Sequence, residues 1–310
     1  MTRTATTHKS AQTDTPRTDV YTRVTDTILS QLEQGVRPWM KPWQAGHSAG
    51  HVSKPLRANG QQYNGINILM LWTQAMISGF EAPIWMTYKQ AQELGGNVKK
   101  GEKGSLVVYA NTFRKEEAND QGETVERDIP FMKGYTVFNV EQVEGLPAHF
   151  YAKNQPEVLN TTERLQAVEI FVQNTQAIIQ HGGASAFFSP SKDLIQMPPY
   201  AQFTSREGYY ATLVHELTHW SGAKSRLNRD MSGRFKTAAY AAEELIAEMG
   251  AAFLCADLGI TPEIREDHAA YLQSWLGVLK GDKKAIFTAA AHAQRAVDYL
   301  HSLQAVPPAS

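Results

Sequence analysis

The residues best suited to chemistry lie in one short run, Val214-His215-Glu216-Leu217-Thr218-His219. The pattern is His-Glu-x-x-His inside an apolar, helix-forming stretch. Residues four apart share one face of a helix, so His215 and His219 can direct their imidazoles at a single metal ion. Glu216 sits beside them, where a carboxylate can take a proton from metal-activated water and so support hydrolysis of a peptide bond. The competing reading is a buried helix with two structural histidines, but that leaves imidazoles and nearby acids unsatisfied in apolar surroundings.

A third ligand decides the kind of site. In one large class of zinc enzymes the run continues to Gly-x-x-His. Gly222 stands at the glycine position, but Ser225 occupies the histidine position, which excludes that class. The other source is a following helix with three candidates, Glu243, Glu244 and Glu248. Glu244 and Glu248 are four apart and share a face that Glu243 shares less well. Glu244 is therefore the expected third ligand, and Glu248 is expected to hold the outer nitrogen of a histidine, His215 in the first instance. Two imidazoles and a carboxylate leave a fourth position for water, as catalytic zinc requires. One Zn2+ per chain is expected, with another divalent metal able to replace it.

Two helices must hold these groups. Ser205 reads as the N-cap of the motif helix, which ends at Ser221-Gly222, and a long apolar helix over 238–258 stops at Gly259. Thr261-Pro262 opens a helix to about Lys280, and another runs from about Lys284 to Leu303. Upstream, apolar periodicity predicts a helix over 162–180 and short strands at 186–188 and 193–197. The second strand is either an edge that lines the cleft and pairs with an extended peptide, or an ordinary core strand. Tyr209, Tyr210, Arg226 and Arg229 are conceivable donors to a developing oxyanion, though such residues more often pack. His268, His292 and His301 stand at unrelated spacing and read as plain histidines.

The region in front has a different character. Between Arg37 and Lys115 there are ten basic residues against three acidic ones, and four of the six tryptophans, Trp39, Trp43, Trp72 and Trp85, precede residue 90. Single-stranded nucleic acid is held by basic side chains along its backbone and aromatic faces under its bases. Trp39 and Trp43 flank Lys41 in an extended Pro-Trp segment and are the stacking candidates, whereas Trp72 falls in an apolar helix and reads as core. Lys99, Lys100 and Lys103 form a basic turn suited to phosphates. Arg37, Lys54, Arg57, Arg114 and Lys115 complete the basic set. Four-residue periodicity from Val20 to Leu32, a helix over 68–77, a strand at 84–86, a Thr87/Gln90 capping box and strands at 106–109 and 131–140 make this region α+β.

The chain's 310 residues suffice for two domains, and the net charge of −1 argues against both a globally basic DNA binder and an acidic DNA mimic. The single cysteine, Cys255, excludes an internal disulfide and fits a reducing, cytoplasmic setting. No run of eighteen apolar residues exists, so no membrane partner is expected. Residues 1–17, rich in Thr, Ser and charge, read as a disordered tail.

Taken together, the motifs resemble the ArdC-type antirestriction proteins of conjugative plasmids. In the first region the resemblance rests on Pro38-Trp39-x-x-Pro42-Trp43, on Tyr63-Asn64-Gly65-Ile66-Asn67, and on Tyr88-Lys89-Gln90-Ala91 with Val98-Lys99-Lys100-Gly101-Glu102-Lys103-Gly104. In the second it rests on the histidine motif and Ala242-Glu243-Glu244-Leu245-Ile246-Ala247-Glu248. It implies a single-stranded-DNA-binding domain, expected over 18–145 and including Tyr63 and Asn64 in its DNA surface. A linker over 146–160 and a mainly helical, zincin-like metallopeptidase domain with a small sheet over 161–304 follow. The implied role is protection of incoming plasmid DNA from restriction, with a protein bound to or near that DNA as a conceivable substrate. The alternative is a pure single-strand-binding protein whose metal site is structural or vestigial.

Overall fold

The computed structural model describes residues 19–40, 53–118, 124–151, 161–231, 237–261 and 268–304. The tail expected over 1–17, together with Lys41 and Trp43, lies outside them.

The first region opens with helix α1 (Val20–Glu33), capped by the Asp19 carboxylate, which accepts from Thr22 N–H. After β1 (Leu56–Arg57), helix α2 (Ile66–Ser78) ends on left-handed Gly79. Strand β2 (Ile84–Met86) leads into α3 (Tyr88–Glu93), which the Thr87/Gln90 capping box starts. Strand β3 (Asn97–Val98) precedes a long hairpin, β4 (Ser105–Ala118) and β5 (Thr124–Asn139). β1 runs parallel to β2, and β2 and β4 flank β5 antiparallel, giving the order β1-β2-β5-β4. The hairpin strands reach well beyond the short strands expected from the apolar runs, because cross-strand pairing carries the polar positions along.

The expected linker begins too early. Strand β6 (Val143–Glu144) pairs with β3, and Leu146 and Phe150 are buried in a small core with Met86, Ala91, Val140 and Val143. Apolar contact therefore keeps the chain folded through this segment despite its proline and polar residues. Residues 152–160 lie outside the described residues.

The second region begins with α4 (Thr161–Asn174), which ends six residues earlier than the periodicity predicts. Thr175 ends it by donating to Val172 O, and Gln176 takes a positive φ of 57°. The residues beyond become β7 (Ile178–His181), paired parallel to β9 (Leu194–Met197), with β8 (Phe187–Ser189) antiparallel on the other side of β9. β9, expected as a possible edge, is the central strand of this sheet, and β8 is an edge. The motif helix α5 (Arg206–Ser221) follows, then α6 (Ala238–Leu258), α7 (His268–Gly281) and α8 (Ala285–Ser302).

One contiguous core joins the two regions: Val24, Ile28 and Leu32 of α1 and Ile68, Leu69 and Leu71 of α2 belong to the same buried cluster as α5–α8. Polar ties reinforce it. Thr25 donates to Lys283 O, and the amide of Gly65 donates to the Gln294 side chain on α8. Asn67 acts as a strand surrogate, its side-chain amide both donating to and accepting from the main chain of Val108 on the outer edge of β4. Two residues of the Tyr63–Asn67 turn are thus committed to holding the fold.

Candidate metal centre

Helix α5 is buried along nearly all its length, from Gly208 to Ser221, and the Ser205 hydroxyl accepts from Gly208 N–H to start it. Helix α6 crosses it closely at Gly250, where an added Cβ would lie 2.6 Å from the Thr218 methyl. That approach, two residues past Glu248, lets short glutamate side chains reach the α5 histidines. No comparable approach exists with a side chain at position 250.

His215, His219 and Glu244 offer ligand atoms that all lie within 4.8 Å of one another. His215 Nε2 is 3.7 Å and His219 Nε2 3.6 Å from the two oxygens of Glu244. The outer nitrogens face other acids. His219 Nδ1 meets Glu243 at 3.1 Å, within hydrogen-bond range, and His215 Nδ1 lies 3.5 Å from Glu248, a looser contact. Both rings are thereby turned with Nε2 toward the same carboxylate, the orientation a shared ion needs. Two imidazole nitrogens with one carboxylate form a donor set that suits zinc or a similar divalent cation.

Glu216 is buried and lines the same cavity of about 310 Å³, together with Phe187, Phe188, Met231, Tyr240 and Tyr271. Burial works against a charged His219, but the Glu243 hydrogen bond and the negative field of Glu244, Glu243 and Glu216 outweigh it and push the imidazole up to about 9. Burial likewise works against a charged Glu244, yet its bond to His215 and the two histidine charges hold it down at about 2. Without an ion the cluster is therefore a network of carboxylates and at least one imidazolium.

Glu243, which the spacing argument set aside, takes for His219 the role expected of Glu248 for His215. It is gripped through two oxygens by buried Arg229, at 3.0 and 2.8 Å, and Arg229 also donates to Ser221 Oγ and Thr218 O. Gly222 makes room for this, since a Cβ there would fall 2.6 Å from the guanidinium. The signal available beforehand was the rule that a buried acid takes a basic partner, with Arg229 a few residues beyond the motif. The other conceivable oxyanion donors are also engaged: Arg226 with Asp193, Tyr209 with His181, and Tyr210 with Glu169. Tyr240, which sequence reasoning passed over, lines the cavity together with Tyr271. Burial, then bonds with Tyr271 and Glu244, raise its pKa, so it remains a neutral donor. Cys255, buried on α6, is pushed up to about 12 by burial and the Glu248 charge and remains a thiol.

The residues proposed for DNA scatter. Trp39 is fully buried and packs edge-to-face on Trp275 of α7, with centroids 5.5 Å apart, so it has no free face for a base. Lys54 is buried too, paired at 2.6 Å with Asp257 of α6, which also bonds His301; it neutralises an interior acid and meets no phosphate. Tyr63 is buried beneath the Arg57 guanidinium. Arg37 is half-buried, while Arg57, Asn64, Lys99, Lys100, Lys103 and Arg114 are exposed. Lys99 donates to Glu141 O, and Arg114 pairs with Glu126. The Lys115 side chain lies outside the described residues.

Residues 166–292 match the family described as zincin-like metallopeptidase, and residues 18–138 the family described as the N-terminal domain of anti-restriction factor ArdC. The metal-free crystal structure of the antirestriction protein ArdC from plasmid R388 superposes with a TM-score of 0.78 at 44% identity, covering 92% of this chain and 98% of that one. The chain belongs to the ArdC family. The Mn(II)-bound structure of R388 ArdC superposes with a TM-score of 0.76 at the same identity and coverage. The uncharacterized protein y4eC of Sinorhizobium fredii is 43% identical over 96% of each chain. The DNA primase TraC of Escherichia coli is 36% identical over 90% of this chain, which spans only 26% of that longer protein. The ArdC architecture is thus an α+β N-terminal region followed by a zincin-like one. Among the described residues no helix is long and apolar enough to cross a membrane.

Proposed function

We propose that this chain is an antirestriction protein that binds single-stranded DNA through residues 18–145 and carries one divalent metal, zinc by preference, in a peptidase-type centre within 161–304. The observation that carries the reading is the orientation of the two histidines. Each presents Nε2 to Glu244 while an acid faces Nδ1, beside a cavity that Glu216 lines. The Mn(II)-bound R388 relative supports divalent occupancy.

His215, His219 and Glu244 would hold the ion, which supplies a Lewis acid and an acidified water. Glu216 takes the proton of the attacking water and hands it to the leaving amine. Arg229 fixes Glu243, Glu243 fixes the His219 ring, and Glu248 faces the His215 ring. The Tyr240 hydroxyl donates toward charge that develops at the carbonyl oxygen. Phe187 and Phe188 of edge strand β8 wall the cavity, so an extended peptide laid along β8 would pass over the acids.

Proton linkage checks the centre. The folded-state pKa of His219 lies above its ordinary 6.5, so its contribution to the stability of the metal-free chain is complete below about 6.5 and is lost as pH rises through about 9. An ion at Nε2 must displace that proton. Calorimetric zinc titration at pH 7–8, in buffers of different ionisation enthalpy, is expected to show release of about one proton per ion and an affinity that rises with pH. Heats independent of buffer would contradict the assignment.

The functional test is transfer of a restriction-sensitive plasmid into a restricting recipient, with binding measured on the purified full chain. The chain is expected to raise transfer efficiency and to bind single strands with log affinity falling by roughly 0.7 per neutralised phosphate for each decade of salt. Unchanged transfer, or binding indifferent to salt, would sink the reading.

A further inference from the structure

Hairpin β4–β5 carries a row of rings, two exposed and one half-buried, that nothing described above uses. Directly opposed residues of an antiparallel pair share a face. The register sets Val107 opposite Tyr135, Tyr109 opposite Lys133 and Asn111 opposite Phe131, so these positions form one face. Tyr109 and Tyr135 are 48% and 45% exposed, while Val107 is buried and anchors the body end of the row. The Tyr109 centroid lies 6.4 Å from Tyr135 and 6.1 Å from Phe131, at angles of 78° and 57°, so the three rings form one contiguous aromatic row. The Asn111 amide donates to the Tyr109 hydroxyl at 2.5 Å and steadies that ring. The Lys133 ammonium sits 5.4 Å from the Phe131 centroid, with its side chain exposed.

The two faces of the ribbon differ in company. The ring face holds Lys133 and no acid from Ser105 to Asn111 or among their partners Phe131 to Val137. On the opposite face, near the body, Gly134 lies beside Leu106 and Val20 of α1. This row is aromatic, cationic and amide-bearing, the composition that stacks bases and meets a phosphate backbone.

We propose that Tyr109, Tyr135 and Phe131 form a stacking platform for the bases of single-stranded DNA, with Lys133 meeting the backbone. The platform takes the place of Trp39, whose ring the core consumes. It rests on the single-strand reading above and names the surface that performs it.

The test uses the full-length chain, fluorescein-labelled oligothymidylate and a duplex of equal length. In Tyr109→Ala/Tyr135→Ala, single-strand affinity is expected to fall on the order of tenfold or more, with the thermal midpoint kept because both side chains are exposed. Tyr109→Phe/Tyr135→Phe keeps the rings and is expected to stay within about twofold of the parent. Duplex binding is expected to be unmoved, since paired strands hide their base faces. In a second arm, 5-iodouracil in the strand is expected to cross-link at Tyr109, Tyr135 or Phe131. A parent that binds, with an alanine variant that binds equally well or adducts confined to the Lys99–Lys103 turn, overturns the platform alone. A parent that binds no single strand overturns the single-strand reading and the platform with it.

Discussion

Glu216→Gln is expected to lower peptide hydrolysis by about 10²–10⁴-fold, the usual contribution of a positioned general base, while metal content and DNA affinity stay at parent values. The reason is geometric. Glu216 lines the cavity, but the close ligand set is His215, His219 and Glu244, so replacing Glu216 takes away a proton acceptor and no ligand. Glutamine keeps the shape and the buried polarity. The measurement is turnover of an unstructured protein in the presence of single-stranded DNA, with metal analysis of the same samples. Hydrolysis that survives in full would remove Glu216 from the chemistry. The same variant in plasmid transfer separates two readings of protection: full protection without hydrolysis means that coating the strand suffices and the centre serves the fold.

His215→Ala is expected to take bound metal from about one ion per chain to none, because one of the three donors disappears. It also takes one partner from two acids. Glu244 owes much of its lowered pKa to His215, and Glu248 faces the same ring. With the imidazole gone, these acids stay in a buried setting with less compensation, at a cost of about 1–3 kcal/mol. Metal analysis after dialysis and the thermal midpoint read the two effects separately. An ion retained at parental stoichiometry would refute the ligand assignment.

How far these groups could be read from the sequence follows the range of the interactions that fix them. The His215–His219 pair is local: a four-residue step on a helix puts both rings on one side wherever the helix goes. The roles of the three glutamates are only partly local. Spacing pairs Glu244 with Glu248, and the structure does set Glu244 between the two Nε2 atoms and Glu248 beside His215. Glu243 reaches His219 because α6 closes on α5 at Gly250 and because Arg229 returns from the following loop to hold it. Crossing depth and loop return leave no periodic trace.

The DNA surface was harder for the same reason. A Pro-Trp segment reads as an exposed loop, yet Trp39 finds Trp275, and Lys54 finds Asp257 203 residues away. Both contacts come from packing the first region onto α6 and α7, which no local pattern announces. In the hairpin, alternation establishes that Tyr109 and Lys133 sit on a strand, but which face stays open depends on where α1 lies. The helix expected through Gln180 failed where strand pairing by Ile178–His181 overrode apolar periodicity.

The most direct measurement is anomalous diffraction from crystals of the full chain, soaked in zinc and grown with a single-stranded oligonucleotide. The expected result is one zinc peak per chain, bonded to Nε2 of His215, Nε2 of His219 and the Glu244 carboxylate, with the strand lying over Tyr109 and Tyr135. A cluster that stays empty at saturating zinc, or a sole zinc peak elsewhere on the chain, would contradict it.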